Sequence, residues 1–364
     1  MNDALPTVSP NMKSLFSTKA LSRILRLLVL TSLMARAQAQ VVSIPDSGLN
    51  AAILAALGKT AGPLTAQDML SLTNLGANSR GVRSLEGLGE AHNLATLSLE
   101  GNQLTSLALP AGLTNLTGLD LGSNPQLTNF SFLTGLPNLN YLGLADNQLT
   151  SLTLPAGLTN LGGLDLDSNP QLTNFSFLND LTNLASISLS SDHLTDVSFL
   201  SGLTNLTGLY LSDNQLTNLT LPPGLSNLTE LFINENNLTN VSFLGGLTNG
   251  LPNLATLDLS GNQGLTNFSF LSGLTNLTSL DLTDCLPSGN ALTNFSFLSG
   301  MTRLAILSLG ANWLTSFTLP AGLPSLNMLY LGPADLGVPT RQRHLHRGYR
   351  VQGLHQPHGS LFPG

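Results

Sequence analysis

From Leu72 to Leu336 the chain repeats one arrangement of apolar and polar positions, LxxLxLxxN. Its first leucine falls at Leu94, Leu116, Leu139, Leu161, Leu184, Leu206, Leu228, Leu254, Leu277, Leu304 and Leu326, at steps of 22, 23, 22, 23, 22, 22, 26, 23, 27 and 22 residues. A degenerate copy opens at Leu72 and runs through Leu75, Ala77, Arg80 and Val82, which makes about twelve units. The fourth and sixth positions alternate with polar ones, the signature of a short strand with one buried face. Leu119 and Leu121 therefore point inward, and Gly118, Asp120 and Gly122 outward. Successive strands lie parallel at about 4.8 Å. Each half-coil must return to the same side, so the chain winds as a right-handed solenoid.

The ninth position is Asn102, Asn124, Asn147, Asn169, Asn214, Asn236, Asn262 or Asn312 in most units, and Asp192 or Cys285 in two others. After the strand the backbone turns sharply with its polar groups facing the core. A primary amide offers both donor and acceptor and satisfies those groups along the stack. The returning halves come in two forms, "TNFSFLSGLTNL" and "LTLPAGLTNL". Their Pro, Ser and Asn content opposes a long helix, so 3-10 or irregular turns are predicted on the convex side. Phe132, Phe177, Phe199, Phe243, Phe270 and Phe297 recur at one repeat position and are predicted to pack inward.

Charged residues make up 9% of the chain, against roughly 25% in an average soluble domain. Between Leu94 and Leu336 stand fifteen acidic residues and one basic residue, Arg303, within a formal net charge of -7. Nucleic-acid binding needs Lys or Arg to displace counterions around phosphates, so no nucleic-acid partner is expected. The single cysteine, Cys285, excludes an intrachain disulfide framework, and its repeat position accounts for it without a catalytic role. No catalytic, cofactor or metal site is predicted. The N-x-[ST] triplets such as Asn115-Leu116-Thr117 arise from the repeat itself. "DLDSNP" at Asp165–Pro170 has Pro170 where a calcium loop requires glycine. Paired carboxylates on an open face lack the burial that glycoside hydrolysis demands.

Both ends differ from the body. Residues 1–39 read as a signal peptide: Lys13, Lys19, Arg23 and Arg26 precede the apolar Leu27–Met34, followed by Ala35-Arg36-Ala37 and Ala37-Gln38-Ala39 as small-x-small cleavage sites. Met12 is an alternative start. The apolar run is shorter than the about 20 residues that span a bilayer, and no integral membrane segment is expected after its removal. Residues 337–364 form an atypical tail with four of the six histidines (His344, His346, His355, His358). It is read as a frameshifted or truncated frame, a disordered basic tail or, last in order, a metal site.

The units "LTNFSFLSGL" at Leu265–Leu274 and "LTNLTSLDLTDC" at Leu274–Cys285, with their copies, resemble the bacterial internalin-type leucine-rich-repeat proteins. So does the segment "IPDSGLNAAILAALGKTAGPLTAQDMLSLTNLGA" at Ile44–Ala77. The resemblance implies an α/β leucine-rich-repeat right-handed solenoid, with a parallel sheet on its concave face and a small helical N-terminal cap over residues 40–71. Helical apolar spacing over Leu49–Leu57 and an N-cap at Thr65-Ala66-Gln67-Asp68, opening a helix that ends near Leu75, agree with a cap. The solenoid then covers residues 72–336.

The exposed strand positions are where specificity resides. At the fifth position stand Ser98, Asp120, Gly143, Asp165, Ser188, Tyr210, Phe232, Asp258, Asp281, Ser308 and Tyr330; the third adds Tyr141, Glu230, Ile306 and Met328. Aromatic residues are enriched in binding hot spots, which selects Tyr210, Glu230, Phe232, Asn234 and Glu235 as the candidate contact patch. The expectation is a non-catalytic, monomeric, secreted or cell-surface module that binds a protein, with adhesion as one such role, through its concave face. A host or neighbouring-cell surface protein of basic or mixed charge fits the acidic face. A structural spacer of a larger envelope protein, favoured by small concave residues such as Gly118, Gly163 and Gly208, and a glycan-binding module are the alternatives.

Overall fold

The structure, a computed structural model, describes residues 40–245, 250–287, 292–314 and 318–331 and the backbone of Tyr349–Arg350. The expected signal peptide and, apart from that dipeptide, the tail with its four histidines lie outside the described residues. The chain opens with β1 (Val41–Val42), α1 (Ser47–Ala56), β2 (Leu64–Thr65) and α2 (Ala66–Ser71). The strands β1 and β2 pair antiparallel. Twelve strands then succeed one another in sequence and in space. They are β3 (Asn74–Gly76), β4 (Thr96–Ser98), β5 (Gly118–Asp120), β6 (Tyr141–Gly143), β7 (Gly163–Asp165), β8 (Ser186–Ser188), β9 (Gly208–Tyr210), β10 (Glu230–Phe232), β11 (Thr256–Asp258), β12 (Ser279–Asp281), β13 (Ile306–Ser308) and β14 (Met328–Leu331). Every neighbouring pair among them is parallel, with the fourth-position leucines in register, as Leu97 with Leu119 and Leu119 with Leu142. A thirteenth strand, β15 (Tyr349–Arg350), lies antiparallel to β14.

The cap is tied to the array by one carboxylate. Asp46 Oδ1 accepts from Leu49 N at 2.9 Å and caps α1, while Oδ2 accepts from Arg83 N at 2.8 Å and Ser84 N at 3.2 Å in the first unit. These backbone donors hold the Asp46 carboxyl below the ordinary aspartate range although its burial acts in the opposite direction. The approach is close enough that a Cβ on Gly48 would stand 2.3 Å from the Arg80 carbonyl oxygen. Helix α2 opens with a capping box between Thr65 and Asp68. It stops at Ser71, short of the Leu75 expected from spacing, because Leu72 turns extended and Leu75 enters β3 as the first inward leucine of the sheet.

On the convex side the 3-10 turns form as predicted, among them Ser131–Gly135, Ser176–Asp180 and Ser269–Gly273. Which phenylalanine enters the core is a correction. Phe130, Phe175, Phe268 and Phe295, or Val197 and Val241 in their place, are buried, while Phe132, Phe177, Phe199, Phe243 and Phe270 are only half-buried over them. Phe297 alone of the predicted set is fully buried. In a 3-10 turn residues three apart lie on the same side. Phe130, Leu133, Leu136 and Leu139, joined by successive i to i+3 backbone hydrogen bonds, therefore face inward together and leave Phe132 as a cover.

The ninth-position amides form a ladder from coil to coil. Asn124 Nδ2 donates to Leu99 O at 3.1 Å and Leu121 O at 2.9 Å, its Oδ1 accepts from Leu104 N at 3.2 Å, and its N–H reaches Asn147 Oδ1 at 2.6 Å. The turn before each amide places a residue in the left-handed region, as at Ser123 (φ 53°) and Asp146 (φ 55°). Cys285 takes the slot with a thiol that donates to Leu259 O at 3.1 Å. Burial pushes this thiol well above its ordinary pKa, so it stays protonated and inert. In the native protein Cys285 is expected to react with a thiol reagent about a hundredfold more slowly than a free thiol, and fully on denaturation. Native labelling at the free-thiol rate, followed by mass spectrometry, would place it outside the ladder.

Candidate functional site

The concave face is the exposed side of the sheet, set by alternation. Leu209 and Leu231 are fully buried, so Gly208 and Tyr210 on β9, and Glu230 and Phe232 on β10, face outward. The register pairs Glu230 with Gly208 and Phe232 with Tyr210. The two rings stack at 5.1 Å between centroids with 16° between planes. Tyr210 Oη donates to Glu230 Oε2 at 2.5 Å. The ring lies down over Gly208, where a Cβ would meet Tyr210 Cε2 at 3.1 Å. The hydrogen bond to Glu230, then burial and the nearby carboxylate charge, push the Tyr210 phenol up to about 12. The pair is held in one geometry and remains half-buried, so part of each ring is already packed.

The remaining members of the patch sit just beyond the strand. Asn234 is half-buried and its Oδ1 accepts from Ser212 Oγ at 2.5 Å. Glu235 is exposed at a left-handed turn position (φ 52°), and its carboxylate lies over Gly261, where a Cβ would come within 2.6 Å of Glu235 Cδ. All five predicted residues thus occupy two adjacent coils, with Glu235 at the edge rather than beside the rings.

A further aromatic on this face was not in the predicted patch. Tyr141 on β6 is 42% exposed, more than Tyr210 or Phe232. The register sets it between Gly118 and Gly163, and its ring lies over Gly163, with Cδ2 3.1 Å from where a Cβ would be. Its neighbour Gly143 lies in register between Asp120 and Asp165. Burial first, then Asp165, Asp120, Asp167 and Glu100, push the Tyr141 phenol up to about 12. Tyr141 borders a shallow depression of about 510 Å³ lined also by Asn74, Thr96, Ser98, Asp120 and Asn140. The sequence carried the signal: an aromatic whose neighbours at the same repeat position are both glycine. Gly163 and Gly208 accommodate tyrosine rings, which accounts for their smallness without invoking a featureless spacer.

The face is acidic, and among the described side chains of strands β3 to β14 none is a Lys or Arg. Asp165 and Asp258 fold back so that Oδ1 accepts the N–H two residues on, at 3.1 Å from Asp167 and 2.9 Å from Ser260. Burial raises both carboxyls above the ordinary aspartate range, offset in part by those bonds and reinforced by neighbouring carboxylates. Among the described residues the ion pairs are Lys59 with Asp68 at 2.6 Å and His92 with Glu90 at 4.0 Å, both away from this face. No group of three or more His, Cys, Asp or Glu able to hold a metal occurs among the described residues, and no helix there is long and apolar enough to cross a membrane.

A sequence profile for leucine-rich repeats in two copies matches residues 92–135, 137–180 and 226–272. No curated protein matches the chain in sequence. Among solved structures, an internalin (inlF) from Listeria monocytogenes superposes with a TM-score of 0.54 at 25% identity, covering 79% of this chain and 95% of that one. The functional domain of InlJ from Listeria monocytogenes shares the fold, with a TM-score of 0.52 at 24% identity over 79% of this chain and 69% of that one. TLR13, solved in complex with ssRNA13, gives a TM-score of 0.56 at 28% identity, covering 74% of this chain and 41% of that one. The twelve-strand parallel sheet, the asparagine ladder and these matches agree on one assignment. The chain folds as a leucine-rich-repeat solenoid similar to the internalins of Listeria monocytogenes.

Proposed function

We propose that this protein is an exported, non-catalytic binding module whose concave face holds a protein partner presenting a basic or mixed-charge surface. The observation that carries the reading is the Tyr210–Phe232 stack, fixed by the bond to Glu230, within an acidic face whose described strands β3 to β14 hold no Lys or Arg. A rigid aromatic pair loses little side-chain entropy on binding, and uncompensated carboxylates steer a cationic surface toward it. The leucine-rich-repeat fold supports binding rather than chemistry, since the face is open and its carboxylates are not enclosed with a reacting group. RNA is disfavoured as a partner because Arg303 is the single Lys or Arg between Leu94 and Leu336. Signal-peptide composition at residues 1–39 supports export to the cell surface or medium.

The test is an array of purified cell-surface ectodomains probed with the full chain and with the Tyr210→Ala, Phe232→Ala double variant. Basic ectodomains are expected to be retained, with affinity falling as salt rises. The double variant is expected to lose about a hundredfold in affinity, the range of two central hot-spot residues. Equal affinity for the two proteins would remove the patch from the site, and retention of acidic ectodomains alone would overturn the charge assignment.

A further inference from the structure

The asparagine ladder is interrupted at Cys285, whose thiol still donates to Leu259 O, and at Asp192, where the neighbouring units define what is missing. Sixth-position carbonyls on either side each accept two side-chain amides: Leu121 O from Asn124 and Asn147, Leu144 O from Asn147 and Asn169, Leu211 O from Asn214 and Asn236. Leu166 O accepts only from Asn169, at 2.6 Å, and Leu189 O only from Asn214, at 2.8 Å. The donor absent from both is the one that an amide at position 192 would supply. Asp192 occupies that slot, 4% exposed. Its Oδ1 accepts from Asn169 N at 2.5 Å, its own N–H donates to Asn214 Oδ1 at 3.1 Å, and its Oδ2 is buried without a hydrogen-bond partner.

We propose that Asp192 is held inside the solenoid as a neutral carboxylic acid whose O–H takes the place of a ladder amide, making the middle of the array a pH-sensitive joint. As a carboxylate, Oδ2 would stand as an unpaired charged oxygen on the side where every other ladder residue donates to carbonyl oxygens, an arrangement that costs the full desolvation of the charge. As an acid it donates to Leu166 O or Leu189 O. The charged groups around it act in the same sense. Asp165 and Asp167 belong to the preceding coil, Asp213 to the following one, and the only basic group in the three coils is the exposed ring of His193. Burial, with Asp167 and Asp165 behind it, raises the carboxyl to about 7 against the opposing Asn169 N–H.

The sign follows from linkage. The unfolded chain ionises this group near 3.8 and the folded chain near 7, so between those values the folded state holds the extra proton. The contribution of Asp192 to stability is fully present below the unfolded value, falls as pH rises through that window, and is lost above it. Neutralising the face through a bound cationic partner is not required for this behaviour. The joint lies one coil before Tyr210, so its ionisation loosens the support of the aromatic pair.

The experiment compares thermal melting of the full chain, Asp192→Asn and Asn124→Asp from about pH 4.5 to 8.5. Asparagine already fills this slot in eight other units, so Asp192→Asn retains the fold. Its Tm is expected to exceed that of the parent by a margin that grows with pH and levels off near 5 °C, in rough terms, above the folded pKa. Asn124→Asp is expected to acquire a second, similar loss of Tm with rising pH. Carboxyl-carbon NMR of the chain labelled at aspartate is expected to show a resonance titrating near neutrality that is absent from Asp192→Asn. A Tm difference independent of pH, or no aspartate titrating above the ordinary range at that position, would overturn the proposal.

Discussion

Replacing Asn147 with alanine is expected to destabilise the solenoid by about 4 kcal/mol, read as a shift in the urea midpoint with hydrogen exchange mapping where it falls. Asn147 is 1% exposed, and it serves three backbone groups at once. Nδ2 donates to Leu121 O at 3.1 Å and Leu144 O at 2.9 Å, while Oδ1 accepts from Asn124 N at 2.6 Å. Alanine leaves those groups in an apolar interior where water does not replace the amide, and each unsatisfied group costs about 1–3 kcal/mol. Because the three groups belong to two coils, the loss also uncouples neighbours, and array stability depends on that coupling. Exchange should therefore quicken most for the amides of β5 and β6. A cost under about 1 kcal/mol would mean that the ladder contributes little beyond what solvent can supply.

The second large effect is a contrast between adjacent residues. Leu231→Ala is expected to cost about 3–4 kcal/mol, and Phe232→Ala within about 1 kcal/mol, in the same denaturation assay. Leu231 is fully buried between Leu209 and Leu257 of the flanking strands, so truncation leaves a cavity that a tightly stacked solenoid cannot collapse. Phe232 faces outward, is half-buried and stacks on Tyr210. Partner binding should invert the order: Phe232→Ala weakens it directly, whereas Leu231→Ala acts only through the fraction folded. Equal destabilisation by the two would show that the aromatic pair is part of the support of the sheet rather than a free contact surface.

Most of the solenoid was legible because its code is local. A period of 22 or 23 residues, lengthened at two steps to 26 and 27, with alternation around the fourth and sixth positions and a recurrent ninth-position amide, leaves one way to stack the coils in register. The parallel order β3 to β14 follows that code unit by unit, including the degenerate first copy at Leu72, which forms β3. The convex side was less legible. Phe130 and Phe132 are equally apolar and equally periodic, and only the three-residue repeat of a 3-10 turn decides that Phe130 joins Leu133 inside. The second helix is shorter than its spacing suggests for a related reason: Leu72 and Leu75 fit a helical period, yet Leu72 turns extended and Leu75 enters β3.

The candidate site divides along the same line. That Tyr210, Glu230 and Phe232 share one face of two neighbouring coils follows from counting, since the unit length sets the register. That Tyr210 lies over Gly208, bonds to Glu230 and stacks on Phe232 depends on rotamers that only the neighbouring strands select. Tyr141 is the counterexample. Its position was as plain as the others, but its exposure depends on Gly118 and Gly163 on the strands to either side, a relation between coils rather than along the chain.

The sequence by itself determined the class of fold, the register, the inward leucines and the acidity of the concave face, because each depends on periodicity and composition. Only the tertiary structure decided which periodic aromatics reach the core, which outward ones stay exposed, and which ladder oxygen is left without a donor at Asp192. The physical reason is common to the three. Side-chain burial and hydrogen-bond satisfaction are properties of adjacent coils, set by atoms some twenty residues away in the chain and one strand spacing, about 4.8 Å, away in space.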